Sequence, residues 1–131
     1  VNTGQFLRVI KYIKDNNNFT QFEFGFSISD IKRIDLEGCP IRIIPESFCT
    51  TFTALKELVS HNNPLLSHLP DNISSIVPLE FLAIRCTGIN VIPDSITNLP
   101  NLRVFDVTPT VREYLENSCS NFIRDNQLRI R

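Results

Sequence analysis

The chain has 131 residues, the size of one domain, with 42 % apolar and 21 % charged side chains, a soluble globular balance that argues against a disordered tail or a fibre. Thirteen Lys and Arg against fourteen Asp and Glu leave a net charge of −1, without the one-sided field that a binder of nucleic acid or anionic lipid needs. The four glycines (Gly4, Gly25, Gly38 and Gly88) are too scattered for a phosphate-cradling loop, and no apolar run approaches the roughly 20 residues of a membrane span. The sequence begins at Val1 and contains no methionine, which reads as a trimmed, mature or excised chain, and any leader that stood before Val1 is out of view.

In chain order, residues 4–15 carry Phe6, Val9, Ile10 and Ile13 at helical spacing, with Lys11 and Lys14 near the end and Asn16, Asn17 and Asn18 as the stop. Phe22, Phe24, Phe26 and Ile28 then alternate with Glu23, Gly25 and Ser27, the pattern of a half-buried strand, and Ser29-Asp30 turns the chain. A hairpin against the next strand is expected there.

Three segments then share one apolar skeleton. The first runs Ile31-x-x-Ile34-x-Leu36-x-x-Cys39-x-Ile41-x-x-Ile44-Pro45. The second is Leu55-x-x-Leu58-x-Ser60-x-x-Asn63, followed after one inserted residue at Pro64 by Leu66-x-x-Leu69-Pro70. The third is Leu79-x-x-Leu82-x-Ile84-x-x-Thr87-x-Ile89-x-x-Ile92-Pro93, and a fourth begins as Leu102-x-x-Phe105-x-Val107-x-x-Thr110 before departing. Their starts are 24, 24 and 23 residues apart. Leu-x-Leu puts two side chains on one side of a short strand, because strand side chains alternate. The residue that ends each strand must satisfy buried backbone groups: Asn63 is the preferred amide, with Cys39, Thr87 and Thr110 as weaker substitutes. Pro45-Glu46-Ser47-Phe48, Pro70-Asp71-Asn72-Ile73 and Pro93-Asp94-Ser95-Ile96 read as one turn used three times, each opening a short helix.

On these residues the chain resembles the leucine-rich repeat family, over residues 31 to 111. Its Leu69-Pro70-x-x-Ile73 step and its period are similar to the typical or plant-intracellular type, and the Gly-x-Ile-Pro step of plant receptor ectodomains is missing. The resemblance implies an α/β solenoid, with a curved parallel sheet on the concave face and short helices or turns on the convex face. Open solenoid ends need covers, so residues 1–30 read as an N-terminal cap of helix plus β-hairpin, and 31–110 as about four repeats. Residues 111–131 read as a C-terminal capping helix and tail. There Thr110-x-x-Glu113 reads as a capping box, and Val111, Leu115, Cys119 and Phe122 form an apolar face. Both ends together suit a small complete domain; a piece of a longer array is the other reading.

The search for chemistry is short. His61 and His68 fall in different parts of one repeat, and Asp35 and Glu37 share an open strand face, not a cleft. Cys39, Cys49, Cys86 and Cys119 are widely spaced, with no C-x-x-C pair, and read as free thiols before they read as a disulfide. No catalytic residue, metal site or cofactor is expected, and the compartment leans to the cytoplasm.

The residues between the core leucines are the ones a partner would meet. The outward middle lane of the strands reads Asp35, Val59, Ala83 and Asp106; two residues earlier stand Arg33, Glu57, Phe81 and Val104; two residues later, Glu37, His61, Arg85 and Thr108. Mixed charge flanks an apolar middle of Val59, Phe81, Ala83 and Val104, without the continuous Arg and Lys lane that a phosphate backbone needs. Arg33, Asp35, Glu37, Glu57, Val59, His61, Phe81, Ala83, Arg85, Val104 and Asp106 are therefore the candidate binding residues, for a protein or peptide and not for nucleic acid. The leading expectation is a non-enzymatic interaction module. The alternatives are a ligand-recognition domain of an immune receptor or secreted effector, and a regulatory subunit that positions a separate enzyme.

Overall fold

The computed structural model describes residues 31–131; the helix and strand expected within 1–30 lie outside them. The Leu-x-Leu segments form strands Arg33–Asp35 (β1), Glu57–Val59 (β2), Phe81–Ala83 (β3) and Val104–Asp106 (β4), joined by a fifth, Arg129–Ile130 (β5). All are parallel, in the order β1-β2-β3-β4-β5. Their register follows the repeat: Ile34 faces Leu58, Leu58 faces Leu82, Leu82 faces Phe105 and Phe105 faces Ile130.

Each skeleton position therefore becomes a buried column. Ile31, Leu55, Leu79 and Leu102 form one; Ile41, Leu66 and Ile89 another; Ile44, Leu69 and Ile92 a third; Phe48, Ile73 and Ile96 a fourth; Phe52, Ile76 and Leu99 a fifth. Burial of such side chains stabilises by about 1.5–3 kcal/mol each before chain entropy is subtracted. The exception is Ser60, fully buried where the neighbouring repeats have Leu36 and Ile84; its hydroxyl donates to the Ala83 carbonyl at 3.0 Å.

The proline turns repeat as expected. Phe48, Ile73 and Ile96 donate their N–H groups to the carbonyls of Pro45, Pro70 and Pro93 at 3.0, 3.1 and 3.1 Å. Pro45 and Pro93 stand at the N-cap in extended conformation, one position ahead of the first helical turn in which the sequence places them. After Pro45 comes an α-helix, Glu46–Thr51 (α1), whereas the equivalent segments Ile73–Ser75 and Asp94–Asn98 are 3₁₀ turns. In the first repeat Leu55 lies ten positions after Pro45, whereas Leu79 and Leu102 lie nine positions after Pro70 and Pro93. A 3₁₀ helix rises faster per residue, so it covers the same span with fewer residues. On α1, Phe48 and Phe52 pack with ring centroids 4.8 Å apart.

Gly38, Asn62 and Cys86 are 24 residues apart and share a left-handed turn, with φ of 67°, 59° and 59°. The residue 23 places after Cys86 is Pro109, whose ring forbids positive φ. There the repeat ends and helix Pro109–Ser118 (α2) begins, followed by Ser120–Asn126 (α3). The cap of α2 is Thr108, which accepts from the Val111 N–H and donates to the Ile89 carbonyl at 3.1 Å. The expected Thr110-Glu113 box is thus corrected: Thr110 lies exposed inside the helix, because Pro109 fits its first position and leaves Thr108 just outside. Val111, Leu115, Cys119 and Phe122 are buried as the spacing predicts. Beyond α3, Gln127 takes a left-handed φ of 51° and releases the chain into β5, an element the sequence reading left as tail. All four cysteines are free thiols.

Candidate functional site

Asn63 holds the frame behind the strand face. Fully buried, it donates from Nδ2 to the carbonyls of Leu36, Ser60 and His61 at 2.9–3.1 Å, and its Oδ1 accepts from the Ile41 N–H. Thr87 does a smaller version of the same work, donating to the Ile84 carbonyl at 2.7 Å and accepting from the Ile89 N–H at 3.2 Å. Cys39 contributes a 3.7 Å contact to the Glu37 carbonyl, and Thr110 takes no part, since Thr108 replaces it.

On the outward face of the sheet, Arg33, Glu37 and Arg85 are exposed, while Asp35, Glu57, His61, Phe81 and Val104 are half-buried. Val59, Ala83 and Asp106 are not accessible, with exposures of 6 %, 0 % and 3 %. The expected apolar middle therefore reduces to Phe81 and Val104, which are neighbours in register. The reason lies in side-chain length. Short residues in the middle lane are roofed by long ones reaching in from the lanes beside them.

The roof is an ionic network. His61 Nε2 lies 3.3 Å from Asp106 Oδ2, so a side chain of the second repeat reaches one in the fourth. Ala83 stands between them in the sheet, paired in register with Val59 on one side and Asp106 on the other. The Arg85 guanidinium pairs with the other Asp106 oxygen, and the Arg85 N–H donates to His61 Nδ1 at 2.9 Å. That backbone donor makes Nδ1 an acceptor and leaves Nε2 to carry the proton toward Asp106. At the other end of the face, Arg33 lies 3.4 Å from Asp35 and 3.5 Å from Glu57, both exposed pairs worth little alone. Glu37 accepts from Asn62 Nδ2 at 2.9 Å.

Two features escaped the sequence reading. The guanidinium of Arg131 stands over the Phe81 ring, 5.9 Å from its centroid, because β5 brings the tail beside β4. The alternation of Leu128 and Ile130 is its only sequence signal. The most exposed large apolar side chains, Ile43, Leu65, Val77 and Val91, lie off the strands. An open groove of about 630 Å³ runs between the turns at 42–47 and 67–71, past Ile43, Glu46, His68 and Asp71. Among the described residues, no group of three or more His, Cys, Asp or Glu is placed to hold a metal ion, and no helix is long and apolar enough to cross a membrane.

Comparison with known proteins agrees with the repeat geometry. The family model for the leucine-rich repeat matches residues 30–51, the β1 turn and α1. TMV resistance protein N of Nicotiana glutinosa is 32 % identical over 97 residues, 73 % of this chain, and the chain spans about 8 % of that protein's length. The periodic core, the in-register parallel strands and these two likenesses together support the leucine-rich repeat family for this chain.

Proposed function

We propose that the chain is a non-enzymatic interaction module, a solenoid that binds a protein or peptide on its concave strand face. In this reading residues 1–30 and 111–131 close its two ends. The observation that carries the reading is the pair Phe81 and Val104, half-exposed side by side at the centre of a charged face. Arg33, Asp35, Glu37, Glu57, His61 and Arg85 surround them as a polar rim, the layout of an interface with a small apolar centre. Val59, Ala83 and Asp106 support the face from beneath.

The test is a pull-down from the source organism with wild type and Phe81→Asp baits, read by mass spectrometry. A partner retained by wild type alone, with both proteins melting at the same temperature, is the expected result. A partner kept equally by both baits would move the interface to the groove at 42–47 and 67–71 or to the chain ends.

A second reading, a recognition domain within a larger resistance-type receptor, is favoured by the likeness to TMV resistance protein N. It predicts that the partner is a foreign or pathogen-modified protein, where the first predicts a resident one.

A further inference from the structure

We infer that the crevice at the C-terminal ends of β3, β4 and β5 is an oxyanion-binding site that takes a single phosphoryl or carboxylate group. Arg85, Arg112 and Arg131 line one cavity of about 360 Å³, with Val107 and Pro109 as its apolar wall. The three arginines come from three parts of the chain: the turn after β3, helix α2 and the end of the tail strand.

Each guanidinium is anchored by contacts that leave other donors of its five available to a ligand. Arg85 is held by Asp106. Arg112 donates to the Ile130 carbonyl at 3.2 Å and lies 3.4 Å from Glu116. Arg131 rests over the Phe81 ring. The three guanidinium groups face two side-chain carboxylates. Of those two, Asp106 is buried and shared with His61, and Glu116 sits in an exposed pair that water screens. Guanidinium donors beyond those contacts remain beside an apolar wall, which strengthens their interaction with an anion. Planar guanidinium forks match the paired oxygens of phosphoryl and carboxylate groups, so the ligand class follows from the donors.

The inference stands apart from the peptide reading and survives its failure. The chain is titrated with inorganic phosphate and, separately, with acetate at matched ionic strength, and the amide resonances are followed by NMR. Saturable shifts are expected at Arg85, Val107, Thr110 and Arg112. Arg112→Gln and Arg131→Gln should each weaken the apparent affinity by about tenfold. The hydrogen bonds of Arg131 to Phe105 and Val107 are main-chain and survive Arg131→Gln, so this variant keeps the test open if Arg112→Gln loses stability. Tighter binding of phosphate assigns a phosphoryl source, and tighter binding of acetate a carboxylate source. Non-saturating shifts with both anions, or equal affinity in wild type and Arg131→Gln, would overturn the site.

Discussion

At positions 38, 62 and 86 the backbone passes through the same left-handed turn with three different side chains. Gly38 meets no steric cost, and Asn62 belongs to the few residue types that enter this region readily. Cys86 is neither. Its turn is imposed by the repeat, at a cost of about 1–2 kcal/mol for an ordinary side chain. Cys86→Gly should therefore raise stability by about 0.5–1 kcal/mol, after the entropy of the extra glycine is subtracted, whereas Cys86→Ala should leave it nearly unchanged. Equal melting temperatures for the glycine and alanine variants would show that the turn is unstrained. Asn63 makes the opposite case, where one amide serves three carbonyls and one N–H. Asn63→Ala should cost about 2–3 kcal/mol in urea unfolding. Asn63→Asp should cost at least as much, because an ionised carboxylate cannot donate to those carbonyls. The role of Asn63 was legible because its residue type suits it. The strain at Cys86 was not, since only the 24-residue spacing marks it.

Elements repeat as units here, and their differences trace to single residues. One extra residue after Pro45 gives α1 in place of a 3₁₀ turn, and Pro109 in place of a left-handed residue starts α2. Helix α1 also buries Cys49, and burial, with the Glu46 carboxylate beside it as the smaller cause, pushes its thiol from 9.0 up to about 12. Between those two values the unfolded chain releases this proton while the folded chain keeps it. The contribution of Cys49 is therefore complete below pH 9.0 and lost as pH rises toward about 12. At pH 8 exposed Cys86 should react with iodoacetamide while Cys49 stays unmodified until the protein unfolds. Mass spectrometry of the alkylated native protein checks this, and early labelling of Cys49 would contradict its burial. Strand β5 illustrates what short elements conceal. Two residues cannot declare a period, yet Arg129 and Arg131 donate to the carbonyls of Arg103 and Phe105 at 2.8 and 3.0 Å, and Val107 donates to Arg131 at 3.0 Å. Removing residues 128–131 should cost about 2–4 kcal/mol through these bonds and the burial of Leu128. A truncated chain that melts like the full one would reduce β5 to an adornment of the edge.

Across the whole molecule, strand meets strand and turn meets turn between successive repeats, so stability should be close to a sum of nearest-neighbour terms. That architecture was legible because one apolar skeleton recurs three times at near-constant spacing. The lanes of the strand face were legible too, since alternation assigns them. Which lane a partner can touch was not, because the answer depends on how far the side chains of one repeat reach over another. His61 is the decisive case: it crosses the third repeat to meet Asp106 in the fourth, over a side chain no larger than Ala83. A chain built only from neighbouring interfaces should show no coupling between the second and fourth repeats. A double-mutant cycle with His61→Ala and Asp106→Ala should instead give an interaction of about 1 kcal/mol, the worth of one shielded charge-assisted hydrogen bond. The same cycle between Glu57 and Val104, also in the second and fourth repeats but joined by no such contact, should give a value within about 0.3 kcal/mol of zero. Replacing Ala83 by Leu should abolish the first coupling by lifting His61 away from Asp106, while Asp106 keeps Arg85. If both cycles read zero, the ionic roof is only a cover for the middle lane. If only the first is finite, the strand face responds as one unit across the second to fourth repeats.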